Sequence, residues 1–239
     1  GAKVAILDIH AIKKKKIRNL YFIKFNCKNY KNFKNELLKI KKKVGFPSIY
    51  VNASYPASKD WASNTFEKVT LDSYKENIDI HLNSFTFMAK IFADFLKFSK
   101  KKGSIVQISS TYGLVAQNMN VYEGTNARNN MTYPIIKGGI THFSKQLASY
   151  YGKHEIRVNN ICPGMINTES WGPRGEAMAK VRNTTSKELR SGFASQTMLG
   201  RWAEPSEVGD LAAFLVSKKN SYMTGTTVEI CGGITRYIG

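Results

Sequence analysis

The chain has few cysteines and lacks any long apolar run. Its three cysteines, Cys27, Cys162 and Cys231, are too few and too widely spaced for a disulfide framework or a zinc site. No stretch of about eighteen apolar residues occurs, which argues against a membrane-spanning helix. The opening residues, GAKVAILDI, lack the basic segment and cleavage site of a secretory signal. These absences predict a cytoplasmic protein with reduced thiols, no bound metal and no membrane partner.

Arginine is scarce although the chain is strongly basic. The formal net charge is +19, yet only 8 of the 36 basic residues are arginine. Arginine makes the bidentate contacts on which much nucleic-acid recognition depends. The densest lysine runs, at 12–18 and 39–43, are typical of solvated surface segments. A lysine-rich background is therefore the stronger interpretation of the charge, and nucleic-acid binding is the weaker one.

The sequence does contain a regular alternation of short β-branched runs with longer helical ones. Such alternation is typical of βαβ units and a parallel sheet, so we predict a single α/β domain over residues 1–239. Strands are expected at 3–9, 20–26, 48–54, 103–110, 156–164 and 226–233. Helices are expected near 29–43, 72–100, 133–152 and 205–217. The polar stretch 167–200 is expected to be irregular.

Three tyrosines have a lysine four residues later, in the pairs Tyr30/Lys34, Tyr55/Lys59 and Tyr133/Lys137. A tyrosine that transfers a proton near neutral pH needs its pKa lowered, and an ammonium on the same helical face lowers it. The first pair lies in a lysine-rich helix, and the second follows a strand in a Pro/Ser loop. Only the third pair opens a helix behind a strand that ends in two serines. We therefore expect chemistry at the third pair alone.

Five motifs, taken in order, resemble the short-chain dehydrogenase/reductase family: GSIVQISS (103–110), YPIIK (133–137), IRVNNICPG (156–164), LGRWAEPSEVGDLAAFLVS (199–217) and MTGTTVEICGG (223–233). The resemblance implies a Rossmann-like, doubly wound parallel sheet. It also implies an oxidoreductase that interconverts a secondary alcohol and a ketone by hydride transfer. Residues 110–126 are similar to a bacterial branch associated with flagellin modification and surface-sugar pathways, which implies a sugar or sugar-derived substrate.

The resemblance assigns catalytic roles to four positions. Tyr133 would be the general acid/base, and Lys137 would lower its pKa and bind the nicotinamide ribose, so that both lie beside the cofactor. Ser110 would hydrogen-bond the substrate oxygen. His81 stands where the family has an asparagine that supports a water linked to the lysine. A neutral histidine can also donate and accept hydrogen bonds, so a relay role is open to it.

The resemblance also assigns cofactor contacts. Asp8 closes the first strand, where a carboxylate would bind the adenosine ribose and repel a 2′-phosphate, which favours NAD over NADP. Asn26 stands where the family has an aspartate that touches adenine. Asn52 falls near the cofactor, although a turn-stabilising role is an equal alternative. Ile166 and Thr168 fall where the family holds the carboxamide.

One part of the family pattern has no counterpart in the sequence. The opening strand and its glycine-rich turn, which seat the pyrophosphate at a helix N-terminus, are absent. In the Rossmann order that strand is central, between the strands predicted at 3–9 and 48–54. We therefore expect the sequence to be N-terminally incomplete and to lack the first βα unit. A catalytically degenerate relative that only binds is the alternative to an active enzyme.

The resemblance further implies a homodimer or homotetramer formed through the helices at 72–100 and 133–152. It places a substrate lid after Pro163 and Gly164. Residues 168–200 carry five basic and three acidic side chains: Arg174, Lys180, Arg182, Lys187, Arg190, Glu169, Glu176 and Glu188. Two interpretations remain open, an anionic sugar substrate drawn by this small excess and a solvated lid of mixed charge.

Overall fold

The structure is a computed structural model that describes residues 2–11, 17–119, 130–169 and 171–236. It has an α/β fold in which every strand pairing among these residues is parallel. Most of the lysine run at 12–18 and the second half of the 110–126 segment lie outside the described residues. The predicted fold class is confirmed.

All six predicted strands are present, and each is shorter than expected: β1 (Val4–Asp8), β2 (Leu20–Lys24), β3 (Ile49–Asn52), β4 (Gly103–Ile108), β5 (Ile156–Pro163) and β6 (Thr227–Ile230). They form two sheets, one with the order β1-β2 and one with the order β3-β4-β5-β6. Among the described residues, β1 and β3 have no ladder between them. This division lies where the sequence analysis places the family's central strand.

The helices are α1 (Phe33–Lys43), α2 (Leu71–Asn77), α3 (Ser84–Phe98), α4 (Thr132–Tyr151), α5 (Trp171–Val181), α6 (Ser186–Ser195) and α7 (Pro205–Val216). A π-helical turn, Ile78–Asn83, joins α2 to α3. The helix predicted at 72–100 is therefore three successive elements. Turns of this kind are rare inside helices and are frequent at functional sites.

Helices cover both faces of the four-stranded sheet. Ile105 of β4 packs into a core built with α1, α3 and α4, whereas its neighbour Val106 packs against α7 on the opposite face. Alternate residues of a strand point to opposite faces, and the four consecutive buried residues of β4 show that this strand is covered on both sides. β1 contributes Ala5 and Leu7 to the first core, which also contacts Tyr50 of β3. Both sheets thus share one core.

The stretch 167–200 is not irregular as predicted, because it contains α5 and α6. Thr185 and Glu188 form a capping box at the start of α6, in which each side chain accepts the backbone N–H of the other at 3.0–3.1 Å. The two helices bury a small cluster of their own: Met178, Ala179, Leu189 and Phe193, packed with Met165, Trp171 and Trp202. The polar composition of 167–200 led to the prediction of an irregular segment. The T-x-x-E spacing at Thr185 and Glu188 is a helix-start signal that could have predicted α6.

Candidate active site

The predicted catalytic residues meet at one edge of the four-stranded sheet. Parallel strands present their carboxyl ends at a common edge, and in open α/β sheets ligands bind in the crevice outside those ends. Ser110 follows the end of β4, and Tyr133 and Lys137 lie in the first two turns of α4, which packs beside β5. The sequence-predicted set is therefore brought together in space.

The two serines after β4 have different environments. The Ser109 hydroxyl donates to the carbonyl of Lys137 at 2.8 Å and accepts from the Thr141 hydroxyl at 2.9 Å, so it fastens α4 to the strand end. Ser110 is buried, and its Oγ accepts the backbone N–H of Tyr112 at 3.2 Å. Accepting that bond still allows the hydroxyl to donate its proton to a substrate oxygen.

A close approach of backbone holds the Ser110 turn against α4. A Cβ placed on Gly113 would lie 2.7 Å from the carbonyl carbon and oxygen of Lys137. No real side chain tolerates that distance to backbone atoms, so only glycine fits there. The turn after Ser110 therefore packs directly against the backbone of α4.

Tyr133 is placed by bonds at the start of α4. Its backbone N–H donates to the Asn130 side chain at 2.8 Å, and the hydroxyl of the preceding Thr132 donates to Asn64 at 2.8 Å. Pro134 falls in the first helical turn, where its missing N–H costs nothing. The ring of Tyr133 is half-buried.

Lys137 is almost completely enclosed, with 3% of its surface exposed. Its Nζ donates to the carbonyl of Ile108 at 3.2 Å and lies 5.7 Å from the ring centroid of Tyr133. Burial lowers the pKa of this lysine to about 8, against a smaller opposing effect of Cys162. The four-residue spacing does place both side chains on one helical face.

His81 lies in the π-helical turn and is completely buried. Burial, with a further contribution from the Lys137 ammonium, lowers its pKa to about 3, so the imidazole is neutral. Among the described residues, neither ring nitrogen has a hydrogen-bond partner. A buried polar group without a partner is costly, which is typical of functional positions rather than of structural ones.

This burial predicts an acid-sensitive fold. The unfolded chain takes up a proton on His81 near pH 6.5 while the folded chain does not until about pH 3, so stability falls as the pH drops through that window. At pH 5 the loss relative to pH 7 should be about 2 kcal/mol. Urea unfolding of the wild type and of His81→Asn at both pH values measures it, since the variant lacks this contribution. Equal losses in the two proteins would contradict the assignment.

The other two Tyr/Lys pairs have different outcomes. Tyr30 is buried rather than solvated, and its hydroxyl donates to Asp79 at 2.7 Å, a bond that raises its pKa. Lys34 is exposed. Tyr55, in contrast, lies in the site: its ring centroid is 6.1 Å from that of Tyr133 and 5.3 Å from that of His81. Sequence reasoning missed this proximity, while the expectation that the Tyr55/Lys59 pair does no chemistry stays a prediction.

The chain is similar to known proteins in three comparisons. A family model described as Enoyl-(Acyl carrier protein) reductase matches residues 1–235. Post-translational flagellin modification protein A of Campylobacter coli is 28% identical over 186 residues, which are 77% of this chain and 66% of that protein. Sorbitol-6-phosphate 2-dehydrogenase of Klebsiella pneumoniae is 31% identical over 199 residues, 81% of this chain and 67% of that protein.

A solved structure is also similar. The crystal structure of a short chain dehydrogenase from Leptospira borgpetersenii with bound NAD+ shares 28% identity, with a TM-score of 0.79, and the match covers 98% of this chain and 83% of that one. The chain belongs to the short-chain dehydrogenase/reductase family. The predicted family is confirmed, and the chain spans about two thirds or less of the length of the curated relatives it matches.

The residues that this family membership suggests for the adenosine half of a dinucleotide close two neighbouring strands. Asp8 is exposed at the end of β1, and one carboxylate oxygen accepts the backbone N–H of His10 at 2.8 Å. Asn26 is exposed after β2, and its side chain caps the next turn by accepting the N–H of Lys28 at 3.0 Å. This cap occupies the side-chain oxygen of Asn26.

Asn52 closes β3 and is buried. Its oxygen accepts the Ser54 hydroxyl at 2.7 Å, which is the turn-stabilising role weighed in the sequence analysis. Its amide nitrogen has no partner among the described residues. The side chain thus holds a turn with one end and presents a buried donor with the other.

Ile166 and Thr168 lie between β5 and α5, at the start of the segment that the resemblance predicts to be a substrate lid. Ile166 is half-buried and forms a parallel bridge with Ala203, while Thr168 is exposed and its carbonyl accepts the N–H of Trp171 at 3.0 Å. This bridge ties the entry of the lid to its exit.

The charges of the lid are only partly open to solvent. The Arg190 guanidinium lies 4.9 Å from the ring centroid of Trp202, while Lys180 and Lys187 are exposed. Glu188 is committed to the helix cap, which lowers its pKa. The side chain of Arg174 lies outside the described residues.

Within the described ranges, no helix has both the length and the apolarity needed to cross a membrane. The same residues contain no group of three or more His, Cys, Asp or Glu side chains that could hold a metal ion.

Proposed function

We propose that this family member is a cytoplasmic, NAD-dependent oxidoreductase that interconverts a secondary alcohol and a ketone on a sugar or sugar-derived substrate. The observation that carries the proposal is the convergence of Ser110, Tyr133 and a buried Lys137 at one sheet edge. A buried ammonium is costly for a fold, so its placement beside a tyrosine and a serine hydroxyl is best explained by chemistry.

The residues at this edge fit a nicotinamide cofactor. The buried, unpartnered amide of Asn52 and the Lys137 ammonium are donors for its nicotinamide half, where Ile166 and Thr168 would also contact it, and the Asp8 carboxylate is an acceptor for ribose hydroxyls. When bound, the nicotinamide supplies or accepts the hydride. The described residues do not include a glycine-rich turn for the pyrophosphate. The Asp8 carboxylate would repel a 2′-phosphate, which supports NAD rather than NADP.

Each protein group has one task in the proposed reaction. In the direction of reduction, the substrate carbon gains a hydride and the Tyr133 hydroxyl gives its proton to the substrate oxygen; oxidation reverses both transfers. Ser110 donates a hydrogen bond to that oxygen. The positive charge of Lys137 stabilises the phenolate that Tyr133 becomes. His81 would act as a relay only by exchanging a proton with a water bound beside Lys137, since a neutral imidazole can accept at one nitrogen and donate from the other.

The substrate is proposed to be an anionic sugar. Two observations support this class: the similarity to a sorbitol-6-phosphate dehydrogenase, and the exposed Lys180 and Lys187 on the lid. Exposed cations raise the local concentration of anions and are screened by salt.

Steady-state oxidation of NADH and NADPH with a panel of neutral and phosphorylated ketoses tests the whole proposal. We expect turnover with NADH, a preference for phosphorylated ketoses, and a kcat/KM that falls as ionic strength rises. Better turnover with NADPH than with NADH would contradict the proposed role of Asp8. A kcat/KM that does not change with ionic strength would contradict an anionic substrate. Tight NADH binding without turnover of any ketose would favour the degenerate binding protein instead.

We also propose that the protein is a homodimer or homotetramer through α3 and α4. Phe87 and Phe98 of α3 and Ile135 and Tyr150 of α4 are large apolar side chains that remain exposed. Sedimentation velocity measures the assembly, and a monomer at micromolar concentration would contradict it.

A further inference from the structure

Three aromatic rings lie around the ammonium of Lys137. Its Nζ is 5.2 Å from the ring centroid of Phe85, 5.7 Å from that of Tyr133 and 5.8 Å from that of Tyr55. All three distances fall within the range in which the negative face of a ring attracts a cation. The three rings come from α3, α4 and the loop after β3.

The loop that carries Tyr55 is fastened to the start of α4 by hydrogen bonds. The Asn130 side chain donates to the carbonyl of Trp61 at 3.0 Å, and the N–H of Met131 donates to the carbonyl of Asn64 at 2.8 Å. Trp61 in turn contacts Tyr55 edge-on, with centroids 6.1 Å apart. Tyr55 is 49% exposed, so its place above the ammonium is set by this support rather than by burial.

Phe85 is positioned differently, because it is completely buried. It follows His81 by four residues at the junction of the π-helical turn and α3, and the two ring centroids are 5.3 Å apart. His81, in the π-helical turn, and Phe85, at the start of α3, are therefore neighbours, and both lie near Lys137.

No counter-ion accompanies the ammonium within the described residues. The groups that face it are the neutral imidazole of His81, the buried thiol of Cys162, the phenols of Tyr55 and Tyr133, and the carbonyl of Ile108. Burial raises the pKa of Cys162, so this thiol is uncharged near neutral pH. The described ion pairs do not involve Lys137.

We infer that Tyr55 and Phe85 are positioning residues whose ring faces hold the Lys137 side chain in its charged form, in place of a carboxylate. A carboxylate here would pair with the ammonium and weaken its effect on the neighbouring phenol. Aromatic faces stabilise the charge without neutralising it. This inference depends on the proposed function in one respect only: the proposed function is what gives the charged Lys137 a role in turnover.

The test is a pH titration of the lysine side chains by NMR, with the protein labelled at the lysine Cε. The Lys137→Met variant identifies the Lys137 signal. Tyr55→Leu removes a ring and keeps an apolar side chain, so the pKa of Lys137 should fall by about half a unit to one unit. Tyr55→Phe, which keeps the ring, should leave that pKa unchanged. Phe85→Leu should lower it in the same way as Tyr55→Leu.

The outcomes separate cleanly. A pKa of Lys137 that is the same in Tyr55→Leu and Tyr55→Phe would overturn the inference. So would a rise in Tyr55→Leu, which would mean that the ring only excludes water. If the pKa of Lys137 falls as expected and the wild type still reduces no ketose, the inference about Tyr55 and Phe85 is supported and the proposed function is contradicted. The alkaline limb of the pH–rate profile of Tyr55→Leu should move to lower pH together with the titration, because turnover requires the charged Lys137.

Discussion

Tyr133→Phe should lose turnover almost completely, with kcat reduced about a thousandfold, while its affinity for NADH stays within about twofold of the wild type. General acid/base catalysis contributes on the order of 10²–10⁴ in rate, and the substitution removes the proton but keeps the ring. Stopped-flow turnover measures the first quantity, and quenching of protein fluorescence by NADH measures the second.

Tyr222→Phe is the matched control, because Tyr222 is 98% exposed and contacts none of the residues placed in the site. It should turn over like the wild type. Full activity in Tyr133→Phe would assign the proton transfer to another group. Equal loss of turnover and of NADH affinity would mean that the substitution disturbs binding, not proton transfer.

Lys137→Met should abolish turnover and at the same time stabilise the fold, by about 3 kcal/mol at pH 7. The pKa of the lysine falls from 10.5 in the unfolded chain to about 8 in the folded one. The unfolded chain therefore binds more protons between these values, and the penalty of the buried ammonium is complete below pH 8. It disappears as the pH rises towards 10.5.

The pH dependence separates this effect from a general gain in packing. The stability difference between Lys137→Met and the wild type, measured by urea unfolding, should shrink to about 1 kcal/mol at pH 10. Lys59→Met replaces an exposed lysine and should change stability little at either pH. A Lys137→Met variant that is less stable than the wild type at pH 7 would contradict the prediction.

The sheet and the catalytic residues could be predicted because their signals are local. The strand at 103–110 is a short β-branched run that ends in two serines, and it forms β4, an inner strand of the sheet that is covered on both faces. Tyr133 and Lys137 share a helical face by spacing alone, and the two serines before them mark the strand end. The position of this pair in the order of motifs then separated it from the other two Tyr/Lys pairs.

Tyr55 could not be predicted, because its position depends on contacts that are distant in sequence. Its loop reaches α4 through the bond between Asn130 and Trp61, which are separated by 69 residues. The π-helical turn is equally hidden, since its residues read as ordinary helix. The lid helices were missed for a different reason: polar composition outweighed the cap signal at Thr185 and Glu188.

The divided sheet has a consequence for handling the protein. Two sheets present four strand edges among the described residues, whereas a continuous sheet has two. An unpaired edge is a row of backbone donors and acceptors that a strand of another molecule can join. Val4, Ile49 and Val51, on the strands that border the division, are large apolar side chains left exposed. We expect aggregation to begin there, with a rate that climbs steeply with concentration in light scattering, so dilution should preserve this chain better than cooling.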